Sequence, residues 1–454
     1  MGHSDKSADK SADGAAGTDA ASGGDLQSFW MPFSPNKEFK REPRLFARGQ
    51  GMFLYTPEGR ELIDASAGLF CVAAGHCRPE IAEAVHRQLQ TLDFAPTFLR
   101  AHPGAFELAR EVAAFTPAGL DRIFFVNSGS ESIDTAMKMA LLYHRIRGQG
   151  HRQLFVARER AYHGVNLGGT ALGGMVNNKR WFGPGLAGVH HLRHTALPQN
   201  KFIVGQPGEG AELADDLERL CALHGGENFA AVFVEPVAGS FGCLPPPRGY
   251  LEKLRATCDR HGILLVFDEV ITGWGRLGEA FGAQAFGVTP DLLTMAKALT
   301  NGAQPMGAVA ARREIHDTII AAGPEKGIEF FHGYTYSGHP AACAAGLAMM
   351  EIFRRERLID RARELSPFFA QAMHSLRDLP AVVDIRSIGM LAAVELAPGA
   401  APGVRGHEAQ KRLFDTGLQL KSTGDSLIIA PPLIAEKAHI ERIAQHLRQV
   451  IATI

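Results

Sequence analysis

One acid and one lysine, Asp268 and Lys297, stand within the runs Gly-Ile-Leu-Leu-Val-Phe-Asp-Glu-Val at 262 to 270 and Thr-Met-Ala-Lys-Ala-Leu-Thr at 294 to 300. Ile263 to Phe267 is an uninterrupted apolar run, the pattern of a strand buried on both faces of a parallel sheet. Asp268 therefore falls at a strand's carboxyl end, where open α/β sheets bind their ligands. A buried acid is costly there unless a cation meets it. A protonated pyridine nitrogen is such a cation, and a lysine amine can capture an aldehyde on the same ring. The pair therefore suits the two ends of pyridoxal phosphate.

Two further segments supply what that cofactor would still need. Ile123 to Val126 reads as a second buried strand, followed by Asn-Ser-Gly-Ser-Glu-Ser at 127 to 132 and a helical pattern with Ile133, Ala136, Met137, Ala140 and Leu141 on one face. Gly129 between the hydroxyls of Ser128 and Ser130, at a helix N-terminus, leaves backbone N–H groups and the positive dipole end free for a phosphate. Tyr162-His163-Gly164 follows the apolar run Leu154 to Ala157 and offers an aromatic face to a flat heterocycle. Singly, these signals have bland readings: a helix cap, a turn, a salt-bridge acid, a surface lysine. Their order along the chain joins them.

The elements that must carry these residues are legible as periodicity. Apolar strands at 123–126, 154–157, 230–234, 263–267 and 307–311 alternate with helical patterns, which predicts an α/β fold with a mostly parallel sheet and helices on both faces. Helices are expected from Pro79 and just after Gly104. The C-terminal part, with a helix near Pro340 to Phe353, strand-like runs at 382–385, 391–396 and 427–430 and a closing helix from about Ala435, reads as a smaller α+β lobe. His190, His191 and His194 have metal-like spacing, but Gly188 before them and Leu197-Pro198 after them predict a loop, and no metal is assigned. The glycine pairs at 168–169 and 173–174 read as tight turns, not as a dinucleotide fingerprint.

The 454 residues carry 47 basic against 48 acidic side chains, without a basic cluster, which argues against nucleic-acid or anionic-membrane partners. Residues 1–25 are rich in Ala, Gly, Ser, Asp and Lys and are expected to be a disordered tail, neither signal peptide nor anchor. No apolar stretch reaches membrane-spanning length. The six cysteines lack Cys-x-x-Cys spacing and read as free thiols in a cytoplasmic protein.

From Phe29 onward the chain resembles the class III aminotransferases of the fold type I pyridoxal-phosphate enzymes, and within them the omega-amino-acid:pyruvate (beta-alanine:pyruvate) group. The resemblance rests on Phe-Trp-Met-Pro-Phe at 29 to 33, the 127–132 block, Tyr-His-Gly-Val-Asn at 162 to 166, Val-Glu-Pro-Val-Ala-Gly-Ser at 234 to 240, Phe-Asp-Glu-Val-Ile-Thr-Gly at 267 to 273 and His-Gly-Tyr-Thr-Tyr-Ser-Gly-His-Pro at 332 to 340. It implies a large domain with a mostly parallel seven-stranded sheet over residues 76–340. A segment at 26–75 is expected to pack with a small C-terminal domain at 341–454.

The resemblance also implies roles. Lys297 and Asp268 are catalytic; Ser128, Gly129 and Ser130 hold the phosphate; Tyr162 stacks on the ring and Val270 packs on its other face; His163 and Glu235 support the cofactor. Thr335 reaches the phosphate of a neighbouring subunit, so a homodimer or a dimer of dimers is expected. Trp30, Phe70 and Tyr162 line the substrate pocket. Partners are a small amine donor and a keto-acid acceptor such as pyruvate. An aminomutase or racemase on the same scaffold, or a non-catalytic cofactor-binding module, would be the competing readings.

The chain departs from the group at one position. The segment matching Leu418 to Asp425 carries, in these enzymes, an arginine for the substrate carboxylate; here it carries Lys421, a point charge in place of a two-pronged donor. Arg276 and Arg248 are the other cations that could take that carboxylate.

Overall fold

The computed structural model describes residues 26–183 and 185–454; the expected tail at 1–25 lies outside the described residues. These described residues build three sheets. Strands β1 (Arg48–Gln50), β2 (Phe53–Tyr55) and β3 (Glu61–Asp64) form a small meander. The central sheet contains β4 (Arg122–Val126), β5 (Leu154–Arg158), β6 (Val189–Leu192), β7 (Phe229–Val234), β8 (Leu264–Asp268), β9 (Leu292–Met295) and β10 (Gly307–Ala311). The last group is β11 (Val382–Ile388), β12 (Leu391–Leu396), β13 (Leu418–Gln419), β14 (Lys421–Thr423) and β15 (Ser426–Ile429). The central seven strands run in the order β4-β10-β9-β8-β7-β5-β6. Four of its pairings are parallel, and β10 alone runs antiparallel to both its neighbours.

Continuous apolar sequence explains the centre of that sheet. Every residue of β7, β8 and β10 is buried, as expected of strands covered by helices on both faces. Phe233 and Phe267 are fully enclosed, each worth about 1.5 to 3 kcal/mol of burial. Because β10 is antiparallel to both β9 and β4, strands β4, β5, β7, β8 and β9 all point the same way. Their carboxyl ends share one edge, and that edge carries the site.

Two strands of this sheet escape the periodicity. His190 and His191, expected in a loop, lie in β6, paired in parallel with Val156 and Ala157. As an edge strand that is only half-covered, β6 tolerates polar side chains. His191 Nε2 sits 3.0 Å from the Leu172 carbonyl oxygen. Among the described residues no group of three or more His, Cys, Asp or Glu side chains could hold a metal ion. Strand β9 was hidden by its brevity and by Thr294 in its middle.

The other two sheets meet near the cleft. β13 pairs in parallel with β3, whereas β14, only two residues further on, pairs with β15 in the antiparallel C-terminal sheet β11-β12-β15-β14. The chain at 419–421 thus crosses from one sheet to the other. The closing helix is Lys437–Ile451. Among the described residues no helix is long and apolar enough to cross a membrane.

Candidate active site

Five strand ends deliver the inner half of the cleft. The parallel register sets Asp268, the last residue of β8, opposite Thr294 of β9, and Lys297 follows β9 by two residues. Glu235 follows β7, Tyr162 and His163 follow β5, and Gly129 opens the 18-residue helix Gly129–Ile146 after β4. Together with Ser130, Val270, Gly164, Ile271 and Ala296 they line one cavity of about 120 Å³.

Asp268 is buried and well supported. Its Oδ2 lies 2.8 Å from His163 Nδ1, and its Oδ1 accepts from the Val270 N–H at 3.2 Å and the Thr294 hydroxyl at 3.4 Å. His163 is buried as well, and its Nε2 has no hydrogen-bond partner among the described residues. Lys297 occupies the left-handed region at φ 49°, a conformation that a non-glycine residue holds only when its surroundings impose it. Burial pulls its amine below the ordinary lysine range; Cys71, Asp268 and Glu235 act the other way. Burial likewise pushes the Glu235 carboxyl up to about 7. Glu235 accepts from the Tyr162 N–H at 3.0 Å and the Gly239 N–H at 3.2 Å, so it pins the backbone of the stacking candidate.

The helix terminus is shaped as an anion cradle. The Ser128 hydroxyl accepts from the Glu131 N–H at 3.2 Å, and the Glu131 carboxylate accepts from the Asn127 N–H at 2.7 Å. The N–H groups of Gly129 and Ser130, in the first turn, have no acceptor within the helix. A Cβ at Gly129 would come within 3.0 Å of Val270 Cγ1, and one at Gly164, where φ is +93°, within 2.4 Å of the Ser130 hydroxyl. Any side chain at either position would fill the cradle. Ser128 itself is spent on capping and does not line the cavity.

The outer half is a second cavity of about 480 Å³, joined to the first through Tyr162, Ile271 and Lys297. Phe70 and Lys421 line it, with Lys421 Nζ 5.9 Å from the centre of the Phe70 ring. Burial pulls the Lys421 amine down from its ordinary value, and the Lys297 charge lowers it further. Phe70 also has a positive φ, 63°. Its loop is held by Asp64, which accepts from the Ser66 N–H at 2.9 Å and the Gly68 N–H at 2.5 Å and contacts His76 Nε2 at 2.7 Å.

Not every expected residue joins. Trp30 is 88% exposed, and Phe33, from the same motif, lines the outer cavity in its stead. Thr335 is exposed in a loop and lines neither cavity. Arg276 is buried, donating to the Met390 and Pro431 carbonyls at 3.1 and 2.6 Å, and Arg248 lies outside both cavities. Sequence reasoning missed Thr294, which only strand register reveals, Met175, which carries no local signal, and Ser240, which stood unassigned in the quoted run at 234 to 240. Phe33 was present in a quoted motif but unassigned.

The family model for class III aminotransferases matches residues 36–451. The chain is a class III aminotransferase. Pyridoxal phosphate is the cofactor of this family, and the acid, the amine and the anion cradle of the inner cavity fit its ring nitrogen, aldehyde and phosphate. The chain is 55% identical over 432 residues to an omega-aminotransferase of Caulobacter vibrioides, spanning 95% of this chain and 98% of that one. It is 47% identical to a beta-alanine–pyruvate aminotransferase of Pseudomonas aeruginosa, over 92% and 94% of the two chains. Among solved structures, an (S)-enantioselective omega-transaminase from Thermomicrobium roseum superposes with a TM-score of 0.87 at 34% identity, over 93% of this chain and 95% of that one. This aminotransferase therefore has the fold type I architecture expected from its motifs.

Proposed function

We propose that this aminotransferase moves the amino group of an omega-amino acid or a primary amine to pyruvate, giving alanine, in two half-reactions at one site. The observation that carries the reading is the placement of Asp268 and Lys297 on neighbouring strand ends, facing one cavity whose other wall is an open helix N-terminus. The names of its relatives, for omega-amino acids and for beta-alanine with pyruvate, support the substrate class.

When bound, the cofactor carries the substrate nitrogen through its aldehyde and takes up the electron pair released at Cα. The protein's own groups do the rest. Asp268 holds a proton at the ring nitrogen, and His163 orients that carboxylate. Lys297, whose burial favours the neutral amine, would take up the proton of the substrate's Cα and supply it again for the return step. Gly129 and Ser130 bind the phosphate through N–H groups. Tyr162 and Val270, which line the inner cavity, would hold the ring between them, and Glu235 fixes the Tyr162 backbone. Phe70 and Lys421 receive the far end of the substrate, Lys421 as the carboxylate's counter-charge.

We assign the active form as at least a homodimer in the cytoplasm, with the domain division at 26–75, 76–340 and 341–454 read from sequence. Phe331, Trp30 and Leu99, 84%, 88% and 83% exposed, leave apolar surface that a second subunit would cover, and the exposed Thr335 lies four residues from Phe331. All six cysteines are free, as suits a reducing compartment. The test is alanine formation from pyruvate with a panel of amine donors. Pyruvate-dependent turnover with beta-alanine or a primary amine is expected; rearrangement of the amine without consumption of pyruvate would overturn the reading.

A further inference from the structure

Behind the cleft lies a separate cavity of about 390 Å³, between the segment from Thr195 to Pro207 and strands β11 and β12. Its walls are pinned together: the Phe202 N–H donates to Asp384 Oδ1 at 2.6 Å, and the Gly205 N–H to the Ser387 carbonyl at 2.7 Å. Two acids line the space, and both are already engaged. Asp384 and Glu395 each pair with Arg386, the latter at 2.8 Å, and Glu395 also accepts from the Ser426 hydroxyl.

Two cations remain uncommitted. Among the described residues neither Arg160 nor Lys201 forms an ion pair or a side-chain hydrogen bond, although both line the cavity. Arg160 lies over the Phe241 ring, Cζ 4.8 Å from its centre; this contact uses the guanidinium face and leaves the in-plane N–H groups free. Its backbone sits at φ 63°, an arrangement costing on the order of 1 to 3 kcal/mol. Thr195, also in the lining, is 3% exposed and its hydroxyl has no partner among the described residues, although buried polar groups are normally satisfied. A strained arginine that makes no ion pair, with Glu159 and Glu395 acting on it only at longer range, a second cation without an ion pair and an orphaned buried hydroxyl thus converge on one space beside an aromatic ring.

We propose that this cavity binds a phosphate monoester with an apolar body. Arg160 grips two phosphate oxygens in its plane, Lys201 neutralises the second charge from the rim, and the Thr195 hydroxyl donates to the anion from below. Phe241 and Pro245 pack against the ester's carbon skeleton. Two cations match a dianion better than a single carboxylate. The site shares no lining residue with the inner cavity, whose phosphate cradle is built from the backbone N–H groups of Gly129 and Ser130.

Phenyl phosphate titrated calorimetrically into the cofactor-loaded enzyme tests this, with the cofactor's own phosphate occupying the cradle. One saturable site per chain is expected. It should be weakened about tenfold or more in Arg160→Gln, several-fold in Lys201→Gln and in Thr195→Val, and unchanged in Lys421→Ala; benzoate should bind more weakly. Because Lys201 is exposed, its variant folds even if Arg160→Gln does not. No saturable binding at millimolar concentration would overturn the assignment. So would affinity unaffected by Lys201→Gln and Arg160→Gln, loss of binding in Lys421→Ala, or benzoate binding as tightly as phenyl phosphate.

Discussion

The inner and outer halves of the cleft are built by different means. Inside, Asp268, Lys297, Glu235, Tyr162 and Gly129 follow the ends of five strands of one sheet, so ladder hydrogen bonds fix the backbone beneath each of them. Outside, Phe33, Phe70 and Lys421 come from an N-terminal segment, a loop with positive φ at Ala67, Gly68 and Phe70, and a crossing between two small sheets. Groups that move protons need fixed geometry, and the sheet provides it. Groups that recognise the rest of a substrate can sit on irregular chain. Changes inside should therefore cost turnover with every substrate, and changes outside should sort substrates from one another.

The largest loss is expected for Lys297→Ala. Removing the residue proposed both to capture the aldehyde and to move the proton should cost at least about a thousandfold to ten-thousandfold in kcat with acid and amine donors alike. Single-turnover absorbance of the bound cofactor on adding amine checks it. Retention of near-native turnover would show that the inner cavity is not the reacting centre.

Asp268→Asn comes next. An amide cannot hold the ring nitrogen protonated, so kcat should fall about a hundredfold to a thousandfold, equally for all donors, with the thermal transition little moved. A loss below tenfold would mean the acid serves chiefly to anchor His163, and the contrast between the two halves would blur.

How much of this was legible in the sequence follows the same division. Asp268 and Lys297 could be found because a fully buried strand writes itself as an apolar run and places its next residue at a sheet edge. Gly129 was legible because a helix start has its own chemistry. Thr294, Met175 and Ser240 were not, since their proximity depends on strand register and on loop paths. His190 and His191 were misplaced because an edge strand exposes one side and loses the apolar signature. Trp30 and Phe33 show the limit most plainly: the motif pointed to the cleft, but which of its aromatics lines the cavity is decided by packing, and in this chain it is Phe33, itself still 76% exposed.

The outer half should respond selectively. Lys421→Ala removes the one cation lining the outer cavity alone, so kcat/KM for beta-alanine should fall about tenfold to a hundredfold while a carboxylate-free amine changes little, since one charge-assisted hydrogen bond is worth about 1.5 to 3 kcal/mol. Parallel kinetics with the two donors measure it. Equal changes for both would remove Lys421 from carboxylate recognition.

The smallest effect, and the finest probe of the mouth, is its pH dependence. Burial and the neighbouring Lys297 charge lower the basicity of Lys421 from its ordinary 10.5. The ammonium form that attracts a carboxylate is therefore present at lower pH and is lost as pH rises through a value below that of an exposed lysine. KM for beta-alanine should climb in that alkaline window, by about twofold at the midpoint where half the side chains are neutral. Because Lys297 titrates in the same cavity, the donor ratio is the quantity to follow: with a carboxylate-free amine whose own ammonium titrates where that of beta-alanine does, the contributions of Lys297 and of donor ionisation cancel and the Lys421 contribution survives. Lys421→Arg should flatten that ratio across the window, because a guanidinium keeps its charge. A ratio that still bends with pH in the arginine variant would assign the dependence to another group and leave the mouth of the cleft without its carboxylate reader.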